Sequence, residues 1–238
     1  VSRRKFLGDS IKATVGSALA INFPIIVPSS VFGKFAPSNL INVASIGCGR
    51  ISTIHDMTSI ARYAGARIIA VCDLDKNRAD GGPAAVRNNY IKAAKDNGGL
   101  TGDWDIKVYY DYKELLENKN IDAVHISLPD HQHAIVGVHA VKAGKDVYLQ
   151  KPASLTMEEG RILSDEVKRS GRILQMGSQQ RSVDPWPQFK KACELVLNGH
   201  IGKLQTVEVG LPGDPAGGSP VKMPVPSNLN YEDRKSVV

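Results

Sequence analysis

Cysteine is scarce in this chain: three residues among 238, Cys48, Cys72 and Cys193. Their number and spacing exclude a disulfide-stapled framework and a zinc-ribbon pattern of ligands. Aromatic residues make up only 6%, and no basic stripe is interleaved with them, so the usual footprint of a nucleic-acid-binding face is missing. Positive charge is unevenly spread, because Arg3, Arg4, Lys5, Lys12 and Lys34 against Asp9 place +4 of the formal +6 within residues 1–37. The modest apolar stretch from Ala13 to Val27 is interrupted by Asn22 and Pro24 and falls short of the about 20 apolar residues that a spanning helix needs, so no stable membrane span is expected.

What is present is a 42% hydrophobic chain, enough to bury a sizeable core and long enough for one domain and part of another. Ahead of the apolar stretch, Ser2-Arg3-Arg4-Lys5-Phe6-Leu7 looks like a twin-arginine export signal, an address read by the export machinery rather than part of a fold. It predicts a periplasmic protein whose residues 1–37 are signal and linker, with cleavage between Pro28 and Pro37.

The run Ile41-Asn42-Val43-Ala44-Ser45-Ile46-Gly47-Cys48-Gly49-Arg50-Ile51-Ser52 reads as a buried strand that breaks into a glycine turn and opens a helix. Gly47 permits a tight turn, and Gly49 has no side chain to hold a pyrophosphate away from the backbone amides of Arg50 and Ile51 at the helix start. A third glycine is replaced by Ser52, small enough for close packing of helix on strand. The next strand, Arg67 to Cys72, ends at Asp73, twenty-one positions after Ser52, which is the spacing of a βαβ unit. A carboxylate there accepts hydrogen bonds from the adenosine ribose and repels a 2′-phosphate, so the expected cofactor is NAD. The competing reading of Asp73-Leu74-Asp75 is the N-cap of a helix, and both can hold at once.

Strand and helix patterns alternate from there. A helix is expected over Ala84 to Lys95, interrupted upstream by Gly81-Gly82-Pro83. Strands follow over Lys107 to Tyr112, Ile121 to Leu128, Asp146 to Leu149 and Arg172 to Met176. The helices between them run from Tyr112 to Asn118, Gln132 to Ala143 and Thr156 to Arg169, the last with a capping-box start. This order specifies an α/β class fold, a doubly wound parallel sheet over residues 38–182. Residues 183–238 read as the beginning of an incomplete α+β second domain: a helix over Trp186 to Asn198, a strand over Leu204 to Val209, a Gly/Pro-rich loop, and a polar ending from Tyr231 to Ser236 that completes nothing recognisable.

Several motifs stand in order: the Gly47 to Ser52 turn, Asp73, Ile121-Asp122-Ala123-Val124, Leu128-Pro129-Asp130-His131-Gln132-His133, Ala143-Gly144-Lys145, Gln150-Lys151-Pro152, and Gly199-His200-Ile201-Gly202-Lys203. Together they resemble the N-terminal, NAD-binding Rossmann half of the Gfo/Idh/MocA oxidoreductases. The resemblance implies that Lys151 points into the cleft near the nicotinamide and takes or shares a hydroxyl proton during hydride transfer. It implies that Leu128, Pro129 and His133 line the nicotinamide side of the crevice, and that a cis peptide precedes Pro152. The family usually has glutamate at the position of Gln150, so contact with the nicotinamide ribose is kept while the charge is lost. Gln179 and Arg181, at the end of the last strand, are candidates to face the cleft. The two histidines of the Asp130 to His133 run read as a capped helix start rather than a metal site. His125 and His139 read as structural, and Cys48 and Cys72 as buried packing residues.

Three functions compete. The first is an NAD-dependent dehydrogenase acting on a sugar, polyol or sugar derivative, its full-length parent a homo-oligomer. The second uses the same fold for hydrolysis through transient oxidation, as in the NAD-dependent α-N-acetylgalactosaminidases that the exported type resembles. The third is a nucleotide-binding fragment without catalysis.

Overall fold

The computed structural model describes residues 39–181, 187–211, 213 and 222–235. The twin-arginine pattern and the apolar stretch behind it lie outside the described residues. Among the described residues no helix is long and apolar enough to cross a membrane.

Six parallel strands form one sheet: β1 (Ile41–Ile46), β2 (Ala66–Cys72), β3 (Lys107–Tyr109), β4 (Ala123–Ile126), β5 (Asp146–Leu149) and β6 (Leu174–Met176), in the order β3-β2-β1-β4-β5-β6. A π-helical turn (Ser52–Asp56) leads into α1 (Met57–Arg62), followed by α2 (Lys76–Asn97), α3 (Tyr112–Glu117), α4 (Asp130–Lys142), α5 (Met157–Ser170), α6 (Pro187–Leu197) and the short α7 (Tyr231–Arg234). The apolar residues separate into two cores. Met57, Ala61, Val86 and Tyr90 pack with Ile68 and Val71 against one face of the sheet. Leu115, Leu116, Val136, Ala140 and Leu163 pack with Ile46, Ile126 and Leu149 against the other. The chain changes face after β3, so the two halves diverge between β1 and β4, and that divergence opens a crevice at the carboxyl ends of the strands.

The helix after β2 departs from the expected break: α2 runs unbroken from Lys76 to Asn97 with Pro83 inside it. An interior proline costs about 3 kcal/mol in a helix, but burial of Ala79, Val86, Tyr90 and Ala93 along the same helix offsets it. The glycine that reads as punctuation is a packing contact. A Cβ on Gly82 would lie 2.8 Å from Val71 Cγ2 and 3.3 Å from Cys48 Sγ, so glycine lets α2 lie directly on β2. Gly82→Ala gains about 1 kcal/mol of helix propensity but forces an overlap that costs about 1–3 kcal/mol. The expected outcome is a lower urea midpoint at unchanged slope.

Residues Leu204 to Val209 form no strand. Leu204, Val207 and Val209 stand exposed with no neighbouring strand among the described residues, and an apolar alternation without a ladder partner does not make a sheet. Residues 228–234 make specific contacts with the rest of the domain. Leu229 bridges Asp75 in antiparallel fashion. Lys76 N–H donates to Asn228 O at 2.9 Å and Asn230 N–H to Leu74 O at 3.0 Å. Beyond them, Gln132 donates to Asp233 O and His131 Nε2 meets Arg234 O at 3.1 Å. The tail therefore ties the tip of β2 to the start of α4.

Candidate functional site

Gly47 sits where β1 leaves the sheet, with φ +96. A Cβ there would lie 2.1 Å from Ser127 O, so the turn passes β4 at a distance only glycine allows. Gly49 answers to a different constraint. Its Cβ would meet only Arg78 Nη1, at 3.8 Å, which leaves open space above the backbone where Arg50 and Ile51 begin the helix. The first amides of a helix lack intrahelical acceptors and lie at the positive end of its dipole. A bare glycine backbone, free amides and open space above them fit a diphosphate.

Asp73 follows β2 on the same edge. Its Oδ2 accepts from Cys48 N–H at 2.8 Å and its Oδ1 from Asp75 N–H at 2.9 Å. An ionised carboxylate has about four acceptor positions, so capacity for ribose hydroxyls remains. The competing N-cap role belongs to Asp75, whose carboxylate accepts from Asn77 and Arg78 N–H. Cys48 beneath the turn is no nucleophile: burial first, then the Asp73 charge, pushes its thiol up to about 12. Burial likewise raises the Cys72 thiol.

The β4 side of the crevice is built by Leu128, Pro129 and His133. Pro129 is the N-cap of α4 with φ −62 and ψ 151, a torsion its ring sets in advance. His133 is buried, at 1% exposure. Its Nε2 accepts from Leu128 N–H at 3.3 Å and its Nδ1 donates to Pro152 O. Burial lowers its pKa and outweighs these contacts. His133 thus brackets the β4 loop to the Lys151-Pro152 segment, with both ring nitrogens engaged by protein. His131 turns to a different partner, the Arg234 carbonyl.

Lys151 follows β5 with its side chain exposed, and the Lys151–Pro152 bond is cis, as the resemblance implies. Gln150 beside it is 4% exposed. Its Oε1 accepts from Lys151 N–H and its Nε2 donates to Asp56 Oδ1, each at 2.9 Å, so its polar ends are turned into the protein. Lys145, of the Gly144-Lys145 motif, is a buried clamp that donates to Asn118 O at 2.7 Å and Ile121 O at 2.8 Å, and burial lowers its pKa. Gln179 and Arg181 form a 3-10 turn beyond β6. Asp56 and Ser45, which the sequence did not mark, are buried.

Residues 41–178 match the family described as an oxidoreductase family with an NAD-binding Rossmann fold, which is more than half of the chain. The chain is 29% identical over 163 residues to scyllo-inositol 2-dehydrogenase (NAD(+)) of Bacillus subtilis, covering 68% of this chain and 42% of that protein. It is 30% identical over 167 residues to myo-inositol 2-dehydrogenase of Thermotoga maritima, covering 70% and 44%. The crystal structure of myo-inositol 2-dehydrogenase from Lactobacillus plantarum aligns with a TM-score of 0.53 at 28% identity, over 69% of this chain and 43% of that one. The chain therefore spans less than half the length of each of these relatives.

Proposed function

The chain belongs to the Gfo/Idh/MocA family of NAD-binding oxidoreductases, and from that premise we propose that it is the cofactor-holding part of an exported NAD-dependent dehydrogenase acting on a sugar, polyol or sugar derivative. The observation that carries this reading is the placement, at the carboxyl ends of the parallel strands, of the open backbone at Gly49, the carboxylate of Asp73 and the exposed Lys151. Gly47, Gly49, Arg50 and Ile51 would hold the diphosphate, and Asp73 the adenosine ribose. Leu128, Pro129, His133 and Gln150 shape the nicotinamide end. Bound NAD supplies a hydride acceptor. Lys151 takes the proton of the substrate hydroxyl as the carbon beneath it is oxidised, a transfer that a positioned amine can make. Residues 183–238 begin the substrate domain, residues 1–37 address the protein to the twin-arginine machinery, and the full-length protein is a homo-oligomer.

The match covers less than half of each relative, so turnover is measured in the full-length gene product and cofactor binding in this chain. Calorimetric titration is expected to show NAD bound to the chain. Inositols and sugars assayed with the full-length protein are expected to produce reduced nicotinamide in proportion to substrate oxidised. Release of an aryl group from aryl glycosides without net reduced cofactor would replace this reading with the glycosidase. Binding without turnover on any of these substrates would leave a nucleotide-binding protein.

A further inference from the structure

A chain of buried polar side chains runs from Ser52 to Gln150, and the proposed reaction gives Ser45, Ser52, Asp56 and His125 in it no role. Ser45, Ser52 and His125 are each 0% exposed, Gln150 4% and Asp56 7%. Polar side chains so deep are costly unless each is satisfied, and here each one is. Ser52 Oγ meets Ser45 Oγ at 3.2 Å, Ser45 Oγ meets His125 Nδ1 at 2.9 Å, and His125 Nε2 meets Asp56 Oδ2 at 3.0 Å. The other Asp56 oxygen, Oδ1, accepts from Gln150 Nε2, and Gln150 Oε1 accepts from Lys151 N–H.

Donor and acceptor roles fix the orientation of the Gln150 amide. A carboxylate only accepts and a backbone N–H only donates, so the amide must place its NH2 toward Asp56 and its oxygen toward Lys151. Lys151 N–H has no strand partner because the ladder ends at Leu149, paired with Ile126 and Met176. The Gln150 side chain is therefore what holds the backbone of the exposed lysine from its N-terminal side.

Asp56 reaches this position through the π-helical turn. Met57 N–H bonds to Ser52 O, five residues back, and both Ser52 and Asp56 face inward. The turn is buttressed from α2, where Asn89 Nδ2 donates to Thr53 O at 2.9 Å and Asn89 Oδ1 accepts from Thr58 Oγ1 at 2.7 Å. Single π turns inside helices are commonly kept where a side chain must be re-aimed.

We propose that Asp56 is a positioning residue for Lys151, acting through the Gln150 amide, and that the Ser52-Ser45-His125 chain ties this support to the helix that follows the glycine turn. Its relevance to turnover rests on the role proposed above for Lys151, whereas the support itself can be read without cofactor or substrate. A glutamate at position 150 can still accept from Lys151 N–H, but its second oxygen then faces the Asp56 carboxylate. Neither oxygen of that contact donates, and the like charges repel, so the new side chain is driven away from Asp56 and its hold on Lys151 N–H is weakened. Adding Asp56→Asn to Gln150→Glu reverses the polarity of this one hydrogen bond, with the amide now donating from position 56, while the net charge of the pair is unchanged.

The test is hydrogen exchange of the Lys151 amide in the 238-residue chain, followed by NMR on lysine-labelled protein. Gln150→Glu is expected to raise the exchange rate about tenfold, the worth of one lost hydrogen bond, and the Asp56→Asn/Gln150→Glu pair to return it to within about twofold of the parent. In the full-length protein, turnover falls with the single change and recovers with the pair. If Gln150→Glu does not fold and the pair does, the same rescue is read as folding. A single variant that exchanges like the parent, or a pair no closer to the parent than the single in folding or exchange, overturns the proposal. Lys151→Ala with unchanged turnover would instead reject the role of the lysine and leave the exchange result standing.

Discussion

Gly47→Ala is expected to abolish NAD binding and to destabilise the chain by about 3 kcal/mol or more. The backbone there has φ +96, a region that costs an L-residue about 1–2 kcal/mol. The added methyl carbon would also fall 2.1 Å from Ser127 O, far inside contact distance and against backbone rather than a yielding side chain. Relief requires β1 and the β4 loop to separate, which breaks the Ser127 N–H to Ile46 O bond of 2.9 Å and opens the floor of the crevice. Overpacking of this kind adds about 1–3 kcal/mol. Gly49→Ala is the informative companion, because its Cβ meets only Arg78 Nη1 at 3.8 Å. That variant is expected to keep the parental urea midpoint yet lose at least about tenfold in NAD affinity, the worth of about 1.4 kcal/mol, since the methyl occupies the approach to the turn amides. Urea unfolding and calorimetric titration of both variants separate a glycine required by the fold from one required by the ligand. Normal folding and binding by Gly47→Ala would refute the geometry described for the turn.

The contrast between these glycines also shows what the sequence could and could not carry. The sheet class was legible because β-branched runs such as Ile121 to Leu128 alternate with helices of fixed spacing, and that alternation admits one kind of sheet. Asp146–Leu149 was legible to the residue. Local punctuation misled where a tertiary contact outweighed it. Gly82 marks no break because Val71 demands a residue without a side chain, and the resulting packing carries the helix through Pro83. Leu204 to Val209 has strand chemistry but no neighbouring strand among the described residues, and no local pattern encodes which strand would pair with it.

At the candidate site, the glycines of the turn and the acidic residue after β2 stood out in the sequence, whereas buried side chains that act through other side chains did not. Gly47, Gly49 and Asp73 announce themselves by spacing. His133 and Gln150 were marked as cofactor contacts, and the structure shows both engaged with protein groups, His133 with Leu128 and Pro152 and Gln150 with Asp56 and Lys151. Asp56 could not be marked, because its partner His125 lies 69 positions away in sequence. A lone acidic residue in a helix usually reads as solvated surface.

Lys151→Ala is expected to lower turnover of the full-length protein by about 10²–10⁴-fold, the usual worth of a positioned acid or base, while NAD affinity of the chain stays within about twofold of the parent. The side chain is exposed, and the contacts that hold its segment are made by main-chain groups, Lys151 N–H to Gln150 and Pro152 O to His133. Truncation beyond Cβ therefore leaves the frame intact, and stability should change by no more than about 0.5 kcal/mol. Lys151→Arg distinguishes proton transfer from simple charge. Guanidinium keeps the positive charge and the reach but does not release its proton in proteins. If the lysine serves as the base for the substrate hydroxyl, arginine fails nearly as completely as alanine. If it only stabilises charge on the substrate oxygen, arginine recovers most of the loss. Unchanged turnover in Lys151→Ala would remove the lysine from the reaction, leaving the glycine turn and Asp73 as a cofactor site whose proton acceptor lies elsewhere.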